Sequence, residues 1–149
     1  MAIWQFFDYH PEGGGCPVTD WYDQQPVEVR AALDAVVDDL AVTENWTDSE
    51  SFEELTRREE HLGLSWLRFH AVVQGRKINY RAVGRWREAA REFIFLGGLQ
   101  KNGRVTIPPD AMNDAIRLLR QLEQGRGEVN GHFEEEEDMA EDGGGEEVP

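Results

Sequence analysis

The first half of the chain shows a short apolar segment, a breaker cluster and helical patterns. Residues 2–9 are apolar and aromatic and predict a first strand, which the following His-Pro-Glu-Gly-Gly-Gly cluster ends. Thr19 is predicted to cap a short helix, and Pro26 suits the first turn of a second one. In that second helix the apolar residues form an amphipathic stripe: Val29, Leu33, Val36, Val37 and Leu40. Residues 52–61 predict a short charged helix.

The middle of the chain has the pattern of strands. Residues 64–73 alternate, which places Trp66, Arg68 and His70 on one face. Residues 74–77 predict a hairpin turn, residues 78–84 the next strand, and residues 85–90 a longer connection. The continuous apolar run at residues 92–99 is typical of a central strand that is buried on both faces.

The last part of the chain predicts one more helix and then a tail. Two prolines open the helix, and its apolar stripe is Met112, Ala115, Ile116, Leu119 and Leu122. The element order predicts an α+β fold: a small antiparallel sheet of about four strands, two helices in the N-terminal half and a C-terminal helix. We expect one folded domain over residues 1–130 and a disordered acidic tail over residues 131–149, because the tail has almost nothing to bury.

Composition narrows the class of protein. The 149 residues are 40% hydrophobic, enough for one domain with a real core. Cys16 is the only cysteine, so an intramolecular disulfide is impossible and a cysteine-based metal cluster is improbable. No apolar run approaches the ~20 residues that span a bilayer. The first residues lack the basic region of a signal peptide, so we expect a cytoplasmic protein.

Charge is distributed unevenly along the chain. The net charge is −15, yet residues 68–104 contain nine bases and two acids. The bases of this basic segment are Arg68, Arg76, Lys77, Arg81, Arg85, Arg87, Arg91, Lys101 and Arg104. Cations gathered on the predicted sheet of an acidic protein indicate a surface for a polyanion. The tail from Glu134 onward carries nine acids and no base. It is either a solubilising end or a mimic of RNA that occupies the basic face.

Three short motifs in this segment resemble a known family. They are Leu64-Ser-Trp-Leu-Arg-Phe, then Asn79-Tyr-Arg, then the run from Phe93 through Gly97-Gly-Leu-Gln-Lys-Asn-Gly-Arg-Val-Thr-Ile-Pro-Pro. In order and spacing they resemble the RelE/ParE toxin superfamily, in particular its HigB-like, phage-derived host-inhibition branch. The match departs from the family pattern at Asn102 and Val105, where the family has lysines, and the last helix has no tyrosine.

The resemblance implies the toxin of a type II toxin–antitoxin pair, a ribosome-dependent mRNA endonuclease. Such an enzyme cleaves by attack of a ribose 2′-OH on the adjacent phosphate, without metal or cofactor. Arg81 and Lys101 would stabilise the phosphate, Arg68 would assist, and His70 is a possible acid or base. The partners would be mRNA on the ribosome and an antitoxin, expected to be a helix-turn-helix protein. No membrane and no small-molecule cofactor is expected.

Each of these residues also has a structural interpretation. Arg81 could pair with Glu88 or Glu92, Arg68 with an acid of the N-terminal helices, and His70 could be an ordinary surface histidine. We expect further RNA contacts from Arg76, Lys77, Arg85, Arg87 and Arg104, although charges in turns and connections also protect sheet edges. Trp66 and Trp86 could stack bases or belong to the core.

Two other functions are compatible with the sequence. One is a non-catalytic binding protein of RelE fold that inhibits a phage or host factor, which the altered lysine motif favours. The other is a ParE-like gyrase inhibitor. His10, His61 and His132 show no ligand spacing, so a zinc site is not expected.

Overall fold

The computed structural model describes residues 2–132 and contains one mixed sheet with helices on both faces. Two single 3-10 turns, Trp46–Asp48 and Glu59–His61, connect the elements. In chain order the helices and strands are β1 (Gln5–His10), α1 (Pro17–Asp23), α2 (Val27–Ala41), β2 (Phe52–Glu54), β3 (Ser65–Val73), β4 (Arg76–Arg87), β5 (Glu92–Asn102), β6 (Val105–Ile107), α3 (Ala111–Glu123) and β7 (Glu128–Gly131).

The predicted sheet is wrong in size and in type. The seven strands follow the order β2-β3-β4-β5-β1-β7, with β6 paired to the far end of β5. β1 runs parallel to β5, so the sheet is mixed and not a small antiparallel RelE-like sheet of four strands. Three strands escaped prediction because each is only three or four residues long: β2, β6 and β7. Such segments show no usable periodicity and are stabilised by the longer strands beside them.

The two faces of the sheet bury separate cores. On one face α1 and α2 cover an aromatic cluster centred on Trp46, which is fully buried. On the other face α3 packs Leu118, Leu119 and Leu122 against Ile94, Leu96 and Leu99 of β5. β5 therefore lies between two helix layers, which confirms that its apolar run is a central strand. α3 covers only part of its face and leaves the rest of the sheet open to solvent.

Three local predictions are also wrong. Residues 52–61 form β2, a loop and a 3-10 turn and not a charged helix, because Phe52 pairs with Leu67 of β3 and is buried in the core. Residues 85–87 belong to β4 and not to a connection, since they pair with residues 92–94 of β5. Thr19 lies inside α1, where it donates to Cys16 Sγ at 3.3 Å; the N-cap position is Cys16.

A β-bulge in the β4–β5 ladder sets the direction of the side chains around β5. The register shifts between Val83 and Gly84, so Leu96 is an extra residue on β5. Past the bulge, Gly98 faces α1, and a Cβ at Gly98 would overlap the ring of Trp21. The absence of a side chain at this position is what lets α1 lie close to the sheet.

The end of the described chain is β7, which pairs antiparallel with β1. The acidic tail predicted from residue 131 lies outside the described residues apart from Gly131 and His132. Within residues 2–132, none of the helices is long and apolar enough to cross a membrane.

Candidate nucleic-acid interface

A cleft of about 570 Å³ opens on the part of the sheet that α3 leaves uncovered. β2 and the loop after it form one wall, Trp66 of β3, Arg81 of β4, the end of β5 and β6 form the floor, and the first turn of α3 closes the other side. Its lining includes an aromatic ring, an imidazole, an amide and several bases, among them Trp66, His61, Asn113, Arg81, Lys101 and Arg104.

The register of the sheet explains why these side chains meet. In β3 the even-numbered residues face the cleft side while Leu67, Phe69 and Ala71 are buried against α1 and α2, as the alternation predicted. Arg81 lies directly opposite Arg68 in the antiparallel ladder of β3 and β4. Asn79, two residues before Arg81 in β4, lies directly opposite Lys101 of β5. Directly opposed residues project from the same face, so the pleat collects these cations on one side.

Trp66 is the centre of the cleft. The guanidinium carbon of Arg81 lies 5.3 Å from its ring centroid and the Lys101 ammonium 5.9 Å from it, both within cation–π range. The indole Nε1 donates a hydrogen bond of 2.9 Å to Glu53 Oε1. Trp66 is therefore held in place at its edge, and two positive charges lie near its ring.

Arg81 is a half-buried cation without a carboxylate partner. Among the described residues it makes no ion pair, and neither Glu88 nor Glu92 binds it. Its Nη1 donates to the adjacent Tyr80 carbonyl at 2.9 Å, while its buried Nε has no hydrogen-bond partner in the described part of the chain. Burial lowers the pKa of Arg81, the facing Arg68 lowers it further, and Glu53 opposes the change. An anion in the cleft would relieve both the burial and the repulsion.

Arg68 has a structural partner. Its Nη1 lies 3.7 Å from Glu53 Oε1, and its Nη2 donates to the Phe52 carbonyl at 3.4 Å. Arg68 thus ties β3 to the short edge strand β2, and Glu53 serves both Arg68 and Trp66. Arg68 does not line the cleft itself, so we regard it as a residue that holds β2, one wall of the cleft, in place.

Of the remaining predicted site residues, some lie in the cleft or at the same end of the sheet, and the others do not. Arg104 lines the cleft, and Arg76 and Lys77 begin β4 on the exposed hairpin at the same end of the sheet as Lys101. His70 is exposed on the cleft face but lies outside the cleft.

Arg85, Arg87 and Trp86 do not reach the cleft. Arg85 donates to the Gly63 carbonyl at 3.4 Å, and Arg87 pairs with Glu92 at 3.9 Å. Trp86 packs on the opposite face, where its ring centroid lies 4.7 Å from that of Phe52. The prediction that Arg76, Lys77, Arg85 and Arg87 occupy turns or connections is wrong, because all four belong to the long strand β4.

Several cleft residues were missed from the sequence. Arg57, Arg58, Glu60 and His61 come from the segment that had been predicted as a helix, and Asn113 comes from α3. No local signal identifies them, since their place depends on β2 adding to the edge of β3. Burial lowers the pKa of His61, against a smaller opposing effect of Glu60, which favours the neutral form of its imidazole.

The cleft is positive in an acidic protein. Its lining includes five bases, Arg57, Arg58, Arg81, Lys101 and Arg104, against three acids, Glu53, Glu54 and Glu60. The basic segment of the sequence thus supplies only three of these five bases, and the loop after β2 supplies the other two. Such a surface attracts anions.

Comparisons with known proteins identify no relative. No protein-family model matches the chain, and no curated protein and no solved structure matches it either. Within residues 2–132, no group of three or more His, Cys, Asp or Glu side chains could hold a metal ion.

Proposed function

We propose that the protein binds single-stranded RNA in the cleft, with the phosphate backbone on Arg81 and Lys101. The observation that carries this proposal is the state of Arg81: half-buried, facing a second arginine, and without a carboxylate partner among the described residues. A phosphate accepts two parallel hydrogen bonds from a guanidinium, which is the interaction that Arg81 lacks.

A single strand fits the cleft better than a duplex. Proteins that bind single strands combine a positive groove with an aromatic side chain on which bases stack. Trp66 is the aromatic side chain of this groove, and a base that stacks on it would do so beside Arg81 and Lys101, whose charges lie over part of its ring. Lys101 and Arg104 continue the line of charge toward the β5–β6 turn. Arg76 and Lys77 extend it across the neighbouring hairpin. The binding would take place in the cytoplasm, and the partner class is mRNA or ribosomal RNA.

Replacing Arg81 with alanine should weaken binding of single-stranded RNA by about 10- to 100-fold, the equivalent of one charged hydrogen-bonded interaction. The slope of log affinity against log salt concentration should become shallower by about 0.7 for each phosphate that the variant no longer neutralises. Fluorescence anisotropy with a labelled strand at several salt concentrations measures both quantities.

Arg120→Ala is the matched control, because Arg120 is an exposed arginine of α3 outside the cleft. This variant removes the same charge and should change affinity by less than about twofold, since one distant charge is largely screened. Equal losses of affinity in the two variants would show that RNA responds only to net charge, and the cleft would then not be the site.

RNA cleavage is the second candidate function, and His61 favours it. A neutral imidazole in the same cleft as Arg81 could accept the 2′-OH proton as the 2′-oxygen bonds to phosphorus, while the cations stabilise the developing charge on phosphate. The bond from phosphorus to the 5′-oxygen of the next nucleotide breaks, and that oxygen takes a proton from water. The ribosome-dependent endonuclease implied by the family resemblance, with its helix-turn-helix antitoxin, is the specific form of this candidate.

Expression in bacteria tests the cleavage candidate. Growth arrest with mRNA cut on the ribosome should disappear in Arg81→Ala and in His61→Ala, whereas His70→Ala, outside the cleft, should retain it. If cells arrest without mRNA cleavage, or if His61→Ala cleaves as fast as the parent, the protein binds RNA without this chemistry.

A further inference from the structure

A second cavity, of about 260 Å³, lies beside a stretch of β5 that has no strand on its outer side. Among the described strands, β1 pairs with β5 as far as Phe95 and β6 pairs from Gln100 onward. Residues 96–99 therefore face a gap between these two neighbours. Side chains of two helices enclose it: Pro17, Asp20 and Trp21 of α1, and Ala111, Asp114 and Arg117 of α3.

Gly97 forms part of the floor of this cavity, and nothing in the described protein requires a glycine there. A Cβ at Gly97 would meet no atom within 4 Å, in contrast to the overlap with Trp21 at the neighbouring Gly98. Gly97 is also not among the residues with positive φ. Glycine in a strand interior weakens the strand and often marks a place where a ligand approaches the backbone.

The lining defines the chemistry of an occupant. The indole of Trp21 and the side chains of Val83 and Leu96 offer flat apolar surface. The volume is just below the range of about 300–1,000 Å³ for drug-sized ligands, so it suits one ring system. Asp20 is exposed at the rim, and its carboxylate only accepts hydrogen bonds. A ring system that binds beside it must therefore carry N–H donors.

The opposite side of the rim offers donors. Arg117 Nη2 lies 3.5 Å from Asp114 Oδ1, an exposed pair that leaves most of its five N–H donors for other acceptors. Guanine has an N–H edge beside an edge with two acceptors, O6 and N7. Uracil has no exocyclic amino group, so it matches a rim carboxylate poorly.

We propose that this cavity holds one base of the RNA strand, with guanine preferred over uracil. The inference rests on the proposed RNA binding and specifies where sequence is read. The two cavities flank the same turn of α3: Met112 and Asn113 line the cleft, and Ala111 and Asp114 line this cavity. A strand whose phosphates lie on Lys101 and Arg104 passes that turn and can place a base on its other side.

The test compares two labelled strands of about eight nucleotides, a length within the usual range of about 4–16 for single-strand sites. One is all uridine, and the other has a single central guanosine. The parent protein should bind the guanosine strand about tenfold more tightly or better, as one good base contact supplies. Gly97→Val should remove this preference and leave the affinity for the uridine strand unchanged. Asp20→Asn should also reduce the preference for the guanosine strand.

Stability measurements separate filling of the cavity from misfolding. Gly97→Ala should unfold at the parent temperature or above it, because the new Cβ occupies open space. Gly98→Ala, one residue away, should be destabilised by its overlap with Trp21. A preference for guanosine that survives in a folded Gly97→Val variant overturns the proposal, and so does the absence of any preference in the parent.

The two proposals can fail separately. If neither strand binds, RNA binding is refuted. Titration with free guanosine, followed by the indole N–H resonance of Trp21 in NMR spectra, then tests whether the cavity binds a base by itself. A shift that Gly97→Val abolishes supports a base site without a strand; no shift overturns it.

Discussion

Replacing His132 with alanine is expected to lower the free energy of unfolding by about 2–3 kcal/mol, because it leaves a buried polar group without its hydrogen bond. His132 Nδ1 and Asp8 Oδ1 are 2.6 Å apart, and their side chains are 11% and 5% exposed. The ring of His132 also contacts that of Phe95, with centroids 5.1 Å apart. Without the imidazole, the Asp8 carboxylate would stay buried and lack this hydrogen bond. Urea unfolding followed by tryptophan fluorescence measures the change in stability.

An Asp8→Asn background provides the control for this prediction. Asparagine keeps the shape and an accepting oxygen but has no charge, so removal of His132 should there cost only about 1 kcal/mol. A double-mutant cycle over the two positions gives the difference directly. If His132→Ala costs the same in both backgrounds, its contribution is ring packing and not the pairing with the buried carboxylate.

Trp46→Ala is expected to lower the free energy of unfolding further, by about 3–5 kcal/mol. Trp46 is 0% exposed and forms the hub of the aromatic cluster. Its ring centroid lies 4.4 Å from that of Trp4, 5.4 Å from Phe52 and 5.9 Å from Phe93. Its indole N–H donates to the Leu40 carbonyl at 2.9 Å, which anchors the 3-10 turn to the end of α2. Thermal or urea unfolding with circular dichroism detects the change.

Trp46→Phe is the comparison for the second prediction. Phenylalanine keeps most of the ring packing and lacks the indole hydrogen bond, so the protein should be destabilised by only about 1–2 kcal/mol. Because Phe52 begins the wall of the cleft, Trp46→Ala should also weaken RNA binding. A destabilisation of less than about 1 kcal/mol on Trp46→Ala would show that the cluster can close around the gap.

Periodicity predicted the elements that are long enough to show it. The β3 alternation placed Trp66, Arg68 and His70 on one face, and the stripe over Val29 to Leu40 predicted α2. The short strands could not be predicted in the same way. β2 exists because Phe52 is buried beside Leu67, a contact between residues distant along the chain. The parallel pairing of β1 with β5 is likewise a long-range feature without a local signal.

The candidate site was predicted in part. Local charge identified the segment that contains Arg81, Lys101 and Arg104, which line the cleft. The same charge count included Arg87, which pairs with Glu92, and Arg91, whose guanidinium carbon lies 5.6 Å from the Trp4 ring centroid. Charge along the chain does not distinguish a cation that faces solvent from one with a structural partner. That distinction depends on strand register, which the sequence pattern left open.

The pairing of β1 has a consequence for how the protein is made. Gln5 of β1 meets Glu92 of β5, 87 positions later, and the outer edge of β1 meets β7 only at Glu128 to Gly131. β1 leaves the ribosome before both strands that it pairs with, and among the described strands it is thus one of the last to find its neighbours. During synthesis its aromatic side chains have no sheet to join, and such unpaired apolar strands favour aggregation. We expect slow folding that is completed only after β7 emerges, and a nascent chain that depends on chaperones until then.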